Sequence, residues 1–305
     1  MSEMRTIDGH QVELSHLDKV FFPESGITKG DVVEYYERIA AHMLPHVRER
    51  AMTIHRYPDG INGEDFYQQN MPDYFPGWIA RVDVDKEDGK VTHVVCNDTA
   101  SLVYIANQGS LVNHVWLSRR NQIRHPDRMI VDLDPPHDGT DVSALRSAAF
   151  LLRNTFRELG LTPFLSTTGS AGLHVYVSLK RELEFDDVRN FGRRVVEQLA
   201  ADHEDELTVE QRKAKRGRRI YLDVLRNSYS HTAVAPYSVR AKPGAPVATP
   251  LAWEELEEDP VESTRYTIQN VFRRLGQRED PWKDFERQAG SVKSAREKLE
   301  HNAID

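Results

Sequence analysis

The chain has 305 residues, of which 39% are hydrophobic and 29% are charged, and its formal net charge is −8. This length predicts one large domain or two fused lobes, and the composition excludes a disordered chain. The negative net charge excludes a positively charged nucleic-acid-binding surface that extends over the whole chain. We find no apolar stretch long enough to span a bilayer, and the single cysteine, Cys96, excludes an intramolecular disulfide.

The first part of the chain is predicted to combine one long helix with short strands. The pattern Thr-Lys-Gly-Asp at residues 28–31 is a capping box, and the apolar spacing of the following VVEYYERIAAHML predicts a helix. The run VTHVVC predicts a strand, a short helix follows it and ends near Gly109, and HVWLS predicts another strand.

The middle of the chain carries the strongest pattern of alternating strands and helices. RMIVDLDPP predicts a buried strand ended by two prolines, and DVSALRSAAFLLRNTFRELG predicts a helix that Gly160 ends. TPFLSTTGSAGLHVYVSL predicts a strand, a tight turn and a strand, after which a helix over DDVRNFGRRVVEQLA and a strand over RIYLDVL follow. Residues 232–240 are predicted to be extended, and the tail from Glu254 to be helical. This order indicates an α/β or mixed α+β fold.

Acidic side chains end two of the predicted strands. Residues i and i+2 of a strand share a face, so Asp132 and Asp134 are expected to project together. Like charges held side by side repel, and a divalent cation such as Mg²⁺ would neutralise them; the alternative is a solvated strand end. Asp223 is either a third carboxylate of a two-metal site or the partner of Arg218 or Arg219 in a salt bridge.

Three further features are open to two interpretations each. The small-residue turn at residues 167–174 is either a phosphate-binding turn or an ordinary hairpin. The basic run RKAKRGRR at residues 212–219 is either a solvated face or an arm that neutralises phosphates. Phe66 and Tyr67 are either exposed rings that stack on bases or core residues.

In this order, the motifs resemble the polymerase domain of bacterial ligase D, a primase-polymerase of the archaeo-eukaryotic primase superfamily that acts in nonhomologous end joining. The most specific block is LDKVFFPE at residues 17–24 followed by GITKGD at residues 26–31, and the similarity runs from His16 to about Gln277. The resemblance implies a primase-like catalytic core with central β-sheets flanked by helices. It implies one catalytic domain over residues 1–285, with sub-lobes of about 1–120 and 121–285, and a charged tail at 286–305.

The resemblance also implies an activity and the residues that perform it. The chain is expected to be a metal-dependent nucleotidyltransferase that extends 3′-hydroxyl ends, prefers ribonucleotides and uses nucleoside triphosphates with two Mn²⁺ or Mg²⁺ ions. By resemblance, Asp132, Asp134 and Asp223 hold the metals and Arg216 is the catalytic arginine. The residues implied to bind the nucleotide or stack on bases are His114, Thr168, Gly169, Ser170, Gly172, His174, Arg240, Phe66 and Tyr67.

A downstream 5′-phosphate is implied to bind His16, Lys19 and Lys29. Lys29 lies at the start of the helix capped by Thr28, and we expect free N–H groups at that helix terminus to receive the phosphate. Ala171 and Gln69 stand where family members often carry lysine, so the triphosphate contacts are expected to be redistributed.

The expected partners are DNA ends, gapped or overhang DNA with a 5′-phosphate, a separate DNA ligase and a Ku-type end-binding protein. The expected location is the cytoplasm, in association with the nucleoid and without a membrane. Two rival functions stay open. A non-catalytic DNA-end-binding module would need no converging acids, and a phosphatase with an Asp-x-Asp motif is disfavoured by Pro136.

Overall fold

The computed structural model describes residues 2–86, 89–136, 142–258 and 262–302. The strands are β1 (Ser2–Ile7), β2 (His10–Ser15), β3 (Val20–Phe22), β4 (Ile27–Thr28), β5 (Ala51–Arg56), β6 (Phe66–Gln68), β7 (Ala80–Lys86), β8 (Gly89–Val95), β9 (Ser110–Trp116), β10 (Arg128–Asp134), β11 (Pro163–Thr167), β12 (Leu173–Ser178), β13 (Leu207–Thr208), β14 (Ile220–Asp223), β15 (Thr232–Val234) and β16 (Pro250–Leu251). The helices are α1 (Lys29–Val47), α2 (Thr99–Asn107), α3 (Val142–Glu158), α4 (Phe185–Asp202), α5 (Lys213–Arg216), α6 (Trp253–Glu258), α7 (Val271–Leu275) and α8 (Val292–Asn302).

The chain divides into two compact units, and neither is one continuous stretch of sequence. The first unit comprises Met1–Asn121, Thr232–Ala248 and Tyr266–Arg278, and the second comprises Gln122–His231, Thr249–Arg265 and Glu279–Asp305. The chain returns to the first unit because β15 pairs antiparallel with β9. The sequence predicted two contiguous sub-lobes with a boundary near residue 121. The structure also has a boundary there, but Thr232–Ala248 and Tyr266–Arg278 belong to the first unit.

The first unit is built on a sheet of order β15-β9-β5-β8-β7, with β6 added to β5. The predicted capping box is confirmed, since Thr28 and Asp31 cap the start of α1 reciprocally. The apolar stripe of α1 is buried and packs against α2; it consists of Val32, Tyr36, Ile39, Ala40 and Met43. The predicted short helix is α2, and β9 begins at Ser110, four residues earlier than expected.

The second unit carries the long strand–helix pattern that the sequence predicted. Its sheet has the order β13-β14-β10-β12-β11-β16, in which only the β13–β14 pair is parallel among the described strands. α3 and α4 pack on β10. A Cβ on Gly192 of α4 would lie 2.9 Å from the sulfur of Met129, so the odd-numbered residues of β10 face the helices. The even-numbered residues, including Asp132 and Asp134, therefore face the opposite side of the sheet.

The segment predicted as a charged tail contributes to the second unit. Within it, α8 packs against α4 and buries Val292, Ala295 and Leu299. Just before that segment, Trp282 packs edge-on against Tyr176 of β12, with ring centroids 4.7 Å apart. Because Tyr176 lies two residues from His174, this aromatic packing covers the sheet beside His174. None of the helices in the described ranges is both long and apolar enough to cross a membrane.

Candidate active site and nucleotide-binding residues

Three of the predicted site residues lie in one row across the sheet of the second unit. On the central strand β10, Asp132 stands opposite Asp223 of β14 on one side and opposite His174 of β12 on the other. Directly opposed residues share a face of the sheet, and Asp134 lies on that face two residues further along β10. The fold therefore brings all three predicted carboxylates to one face.

The surroundings of Asp134 and Asp223 raise the pKa of both carboxyl groups. The pKa of Asp134 is raised to about 6, mainly by burial and also by the negative charge of Asp132, while the charge of Arg216 opposes the shift. Burial also raises the pKa of Asp223, although Asp223 accepts a 2.7 Å hydrogen bond from the backbone N–H of Leu225. His174 Nε2 lies 3.4 Å from Asp132 Oδ1. A cation bound here would relieve the repulsion between the carboxylates.

The predicted catalytic arginine lies beside the same carboxylates. The side chain of Arg216 is buried, with Nη1 3.8 Å from Asp134 Oδ2 and the guanidinium 3.8 Å above the ring of Tyr221. Its Nε and Nη2 donate hydrogen bonds to the carbonyls of Glu210 and Gln211. Other basic residues of the run are exposed, namely Arg212, Lys213, Lys215 and Arg218. Arg216 therefore points inward, whereas these four residues form an exposed basic surface.

The small-residue turn between β11 and β12 is closed by two hydroxyls. Thr168 Oγ1 accepts hydrogen bonds from the backbone N–H groups of Ser170 and Gly172, both at 3.2 Å. Ser263 Oγ lies 3.0 Å from Thr168 Oγ1 and donates to the carbonyl of Gly172 at 2.8 Å. The N–H groups of Ser170 and Gly172 are therefore engaged inside the turn. No motif in the sequence marks Ser263, which lies 95 residues from Thr168.

In the first unit, the two predicted stacking rings are exposed, so the alternative that they are core residues is wrong. The rings of Phe66 and Tyr67 are 45% and 61% exposed. In the β5–β6 pair, Phe66 stands opposite Arg56 and Tyr67 opposite His55, so the two rings point to opposite faces of the strand. The ring of Tyr67 lies 5.8 Å from that of His114. Tyr67, rather than Phe66, therefore lies close to His114, a predicted nucleotide-binding residue.

Arg240 also belongs to the first unit, near Tyr57. The pKa of the Tyr57 hydroxyl is raised to about 12, mainly by burial and also by Asp65 and Tyr67, while the positive charge of Arg240 opposes the shift. The backbone N–H of Arg240 donates a 2.7 Å hydrogen bond to the carbonyl of Pro246. The predicted nucleotide-binding residues are thus divided, with His114, Arg240, Phe66 and Tyr67 in the first unit and residues 168–174 in the second.

The predicted phosphate-binding lysines are neighbours in the first unit. The backbone N–H of Lys29 donates to the carbonyl of Lys19 at 2.7 Å, and the backbone N–H of Lys19 donates to the carbonyl of His16 at 3.1 Å. The ammonium of Lys19 pairs with Asp59, and that of Lys29 donates to the carbonyl of Ser15 at 2.6 Å. The pKa of Lys29 is lowered to about 8, mainly by burial and also by the charges of Lys19 and Arg56.

The expectation of free N–H groups at the start of α1 is wrong. The N–H of Lys29 is bonded to Lys19, that of Gly30 donates to the carbonyl of Leu17 at 2.8 Å, and that of Asp31 donates to Thr28 Oγ1 at 3.2 Å. The loop preceding the helix folds back onto its first turn and satisfies these donors. A phosphate bound here would therefore rely on the side chains of His16, Lys19 and Lys29.

Known proteins are similar to this chain in sequence and in fold. The model of the family described as LigD, primase-polymerase domain, matches residues 28–282. This chain belongs to the LigD primase-polymerase family. A bifunctional non-homologous end joining protein LigD of Bacillus subtilis is 30% identical over 278 residues, which are 91% of this chain and 44% of the relative. A multifunctional LigD of Mycolicibacterium smegmatis is 31% identical over 258 residues, 84% of this chain and 34% of that relative.

The fold comparison agrees with the family assignment. The polymerase domain of Mycobacterium tuberculosis ligase D, solved in complex with DNA, matches with a TM-score of 0.84 and 28% identity, covering 91% of this chain and 98% of that domain. The predicted primase-like mixed α+β fold is confirmed, and family membership places the chain among nucleotidyltransferase-type enzymes. The chain spans less than half the length of the two LigD relatives.

The carboxylates of this LigD-family site are suited to a divalent cation by their chemistry. Asp132, Asp134 and Asp223 offer the hard oxygen ligands that Mg²⁺ and Mn²⁺ prefer. Within the described ranges, no three His, Cys, Asp or Glu side chains already form a group that could hold a metal ion. Metal binding at these aspartates therefore stays a prediction.

Proposed function

We propose that this chain is a DNA-directed nucleotidyltransferase of nonhomologous end joining. It extends 3′-hydroxyl ends and fills gaps at double-strand breaks, with a preference for ribonucleotides. The observation that carries the proposal is the register that sets Asp132 opposite Asp223, with Asp134 on the same face, in a chain of the LigD primase-polymerase family. A module that only bound DNA ends would have no need of three converging carboxylates.

The aspartates would hold two Mn²⁺ or Mg²⁺ ions. When bound, such ions lower the pKa of an attacking hydroxyl and stabilise the charge of a leaving pyrophosphate. His174, 3.4 Å from Asp132 and on the same face of the sheet, would contact a bound triphosphate. Arg216, 3.8 Å from Asp134, adds a buried positive charge beside the reacting phosphates.

The remaining predicted residues select the substrates. Tyr67 and Phe66 provide exposed rings for bases, and His114 and Arg240 contact the nucleotide. A hydrogen bond to the ribose 2′-hydroxyl gives the ribonucleotide preference, because a deoxynucleotide would leave that protein group unpaired. The DNA complex of the M. tuberculosis domain supports DNA as a partner. His16, Lys19 and Lys29 bind the downstream 5′-phosphate, and a DNA ligase and a Ku-type protein complete the repair.

Primer extension on gapped DNA tests this function. The substrate carries a recessed 3′-hydroxyl and a downstream 5′-phosphate, and it is supplied with ribonucleoside or deoxyribonucleoside triphosphates, with Mn²⁺, Mg²⁺ or EDTA. The proposal predicts metal-dependent addition that is faster with ribonucleotides. Binding without any addition would instead indicate an end-binding module, and release of inorganic phosphate without addition would indicate a phosphatase.

A further inference from the structure

The exposed ring of Tyr67 rests on a buried histidine. His55 of β5 stands directly opposite Tyr67 of β6, and the two rings stack with centroids 3.8 Å apart and planes at 18°. His55 is 7% exposed, whereas Tyr67 is 61% exposed. One face of the tyrosine ring is thus covered by the imidazole, while much of the ring is open to solvent.

Contacts at both nitrogens fix the plane of the imidazole. His55 Nε2 lies 2.6 Å from Asp65 Oδ1, and His55 Nδ1 lies 3.3 Å from the hydroxyl of Tyr57. Asp65 immediately precedes β6 and Tyr57 immediately follows β5. Residues that flank the two paired strands therefore contact the two nitrogens of the ring. An imidazole anchored in this way offers Tyr67 a surface of defined orientation.

The stacked pair lies next to a residue predicted to bind the nucleotide. Tyr67 and His114 have ring centroids 5.8 Å apart at 59°. Phe66 is supported differently, since the guanidinium of Arg56 lies 5.3 Å from its ring on the other face of the strand. Of the two exposed aromatic rings of β6, Tyr67 alone combines a rigid backing with proximity to His114.

We infer that His55 is a positioning residue that, anchored by Asp65 and Tyr57, sets the plane of Tyr67 as a stacking surface for a nucleobase beside His114. The inference rests on the proposed function, which requires a base in the incoming nucleotide and another in the template. Base–aromatic stacking is favourable, and a ring that is already oriented loses less conformational freedom when the base binds. His55 thus acts through Tyr67 and needs no contact with the substrate.

Fluorescence of 2-aminopurine tests the inference without turnover. In one arm the probe is the template base opposite the gap, and in the other it is the base of a ribonucleoside triphosphate; the arm that responds identifies the stacked base. Stacking on Tyr67 is expected to quench the probe in the wild-type protein. His55→Ala is expected to lose most of the quenching and to weaken binding of the responding ligand about fivefold, with kcat changed less than twofold.

A double-mutant cycle separates positioning from a general structural role. If His55 acts through Tyr67, His55→Ala adds no further loss in a Tyr67→Ala background. His55→Phe keeps a flat ring but loses both nitrogen contacts, so it is expected to recover only part of the quenching, whereas His55→Gln loses the ring and is expected to behave like His55→Ala. His10→Ala is the matched control, because His10 stacks on Trp78 at 4.4 Å elsewhere in the first unit.

Each outcome bears on either the inference or the proposed function. Unchanged quenching in both His55→Ala and His55→Gln would overturn the inference, as would an equal loss in the Tyr67→Ala background. Wild-type quenching that depends on His55, but without any primer extension, would support the inference and refute the proposed function. Primer extension by the wild type, combined with quenching that does not change when His55 is substituted, would support the proposed function and refute the inference.

Discussion

Gly172 lies against the backbone of Leu133, between the two aspartates of β10. A Cβ on Gly172 would come within 2.1 Å of the carbonyl oxygen of Leu133, a separation that side chains do not adopt. The turn that closes over Thr168 therefore approaches the Asp132–Asp134 strand as closely as a glycine permits. The turn is therefore packed directly against the strand that carries Asp132 and Asp134.

Gly172→Ala is expected to reduce primer extension by about a hundredfold or more. The methyl group must push either β10 or the turn aside. A displacement of about 1 Å at the reacting groups lowers a reaction rate by about a hundredfold. Gly77→Ala is the control, since a Cβ at Gly77 would meet nothing within 4 Å. Extension by Gly172→Ala within a few-fold of the wild type would show that the close approach has no catalytic importance.

Loss of His174 or Arg240 is expected to raise the KM for nucleotide. A hydrogen bond to a charged group contributes about 1.5–3 kcal/mol, which corresponds to roughly ten- to hundredfold. His174→Ala should also lower kcat, because the imidazole lies 3.4 Å from Asp132, whereas Arg240→Ala should affect KM alone. Steady-state kinetics with varied nucleotide at saturating DNA measure both constants. Unchanged nucleotide kinetics in both variants would contradict these roles.

Asp59→Asn is expected to strengthen binding of DNA with a 5′-phosphate. Asp59 pairs with the ammonium of Lys19, and both side chains are partly exposed. Exposed ion pairs contribute at most about 1 kcal/mol, so release of Lys19 should improve phosphate binding by up to about fivefold. Titrations with 5′-phosphate and 5′-hydroxyl gapped DNA at one fixed salt concentration measure this. An equal gain for both DNAs would mean a general charge effect.

The preference for a 5′-phosphate is expected to fall as the pH rises from about 7 to 9. The folded protein lowers the pKa of Lys29 from 10.5 to about 8, so the ammonium is charged below that pH and loses its proton above it. A bound phosphate favours the charged form and moves the transition upward. Lys29→Gln should remove the pH dependence along with most of the preference. A preference that is constant across this range would exclude Lys29 as the phosphate ligand.

Local patterns in the sequence predicted the elements that hold the site. The capping box located the start of α1, and the Asp-Leu-Asp alternation put Leu133 in the core and both aspartates on the other face. The predicted strand ends also located Asp223. The sequence does not specify which strands pair, so it could not show that Asp223 stands directly opposite Asp132.

Features that depend on distant contacts could not be predicted. The N–H groups at the start of α1 were expected to be free because a helix in isolation leaves them so, but the carbonyls of Leu17 and Lys19 accept two of them. Ser263 reaches Thr168 across 95 residues. Both outcomes follow from tertiary packing, which overrides what a local pattern indicates.

Asp132, Asp134 and Asp223, on one face of the sheet, are proposed to perform nucleotidyl transfer. The most direct measurement compares primer extension and DNA binding by the wild type, Asp132→Asn and Asp223→Asn at saturating Mn²⁺. Asp187→Asn, an exposed aspartate of α4 paired with Arg296, is the matched control. Both site variants are expected to lose extension by at least about a thousandfold and to bind DNA as well as the wild type, because they lose predicted metal ligands and no DNA contact. Extension near the wild-type rate by either variant would contradict a catalytic role for these carboxylates.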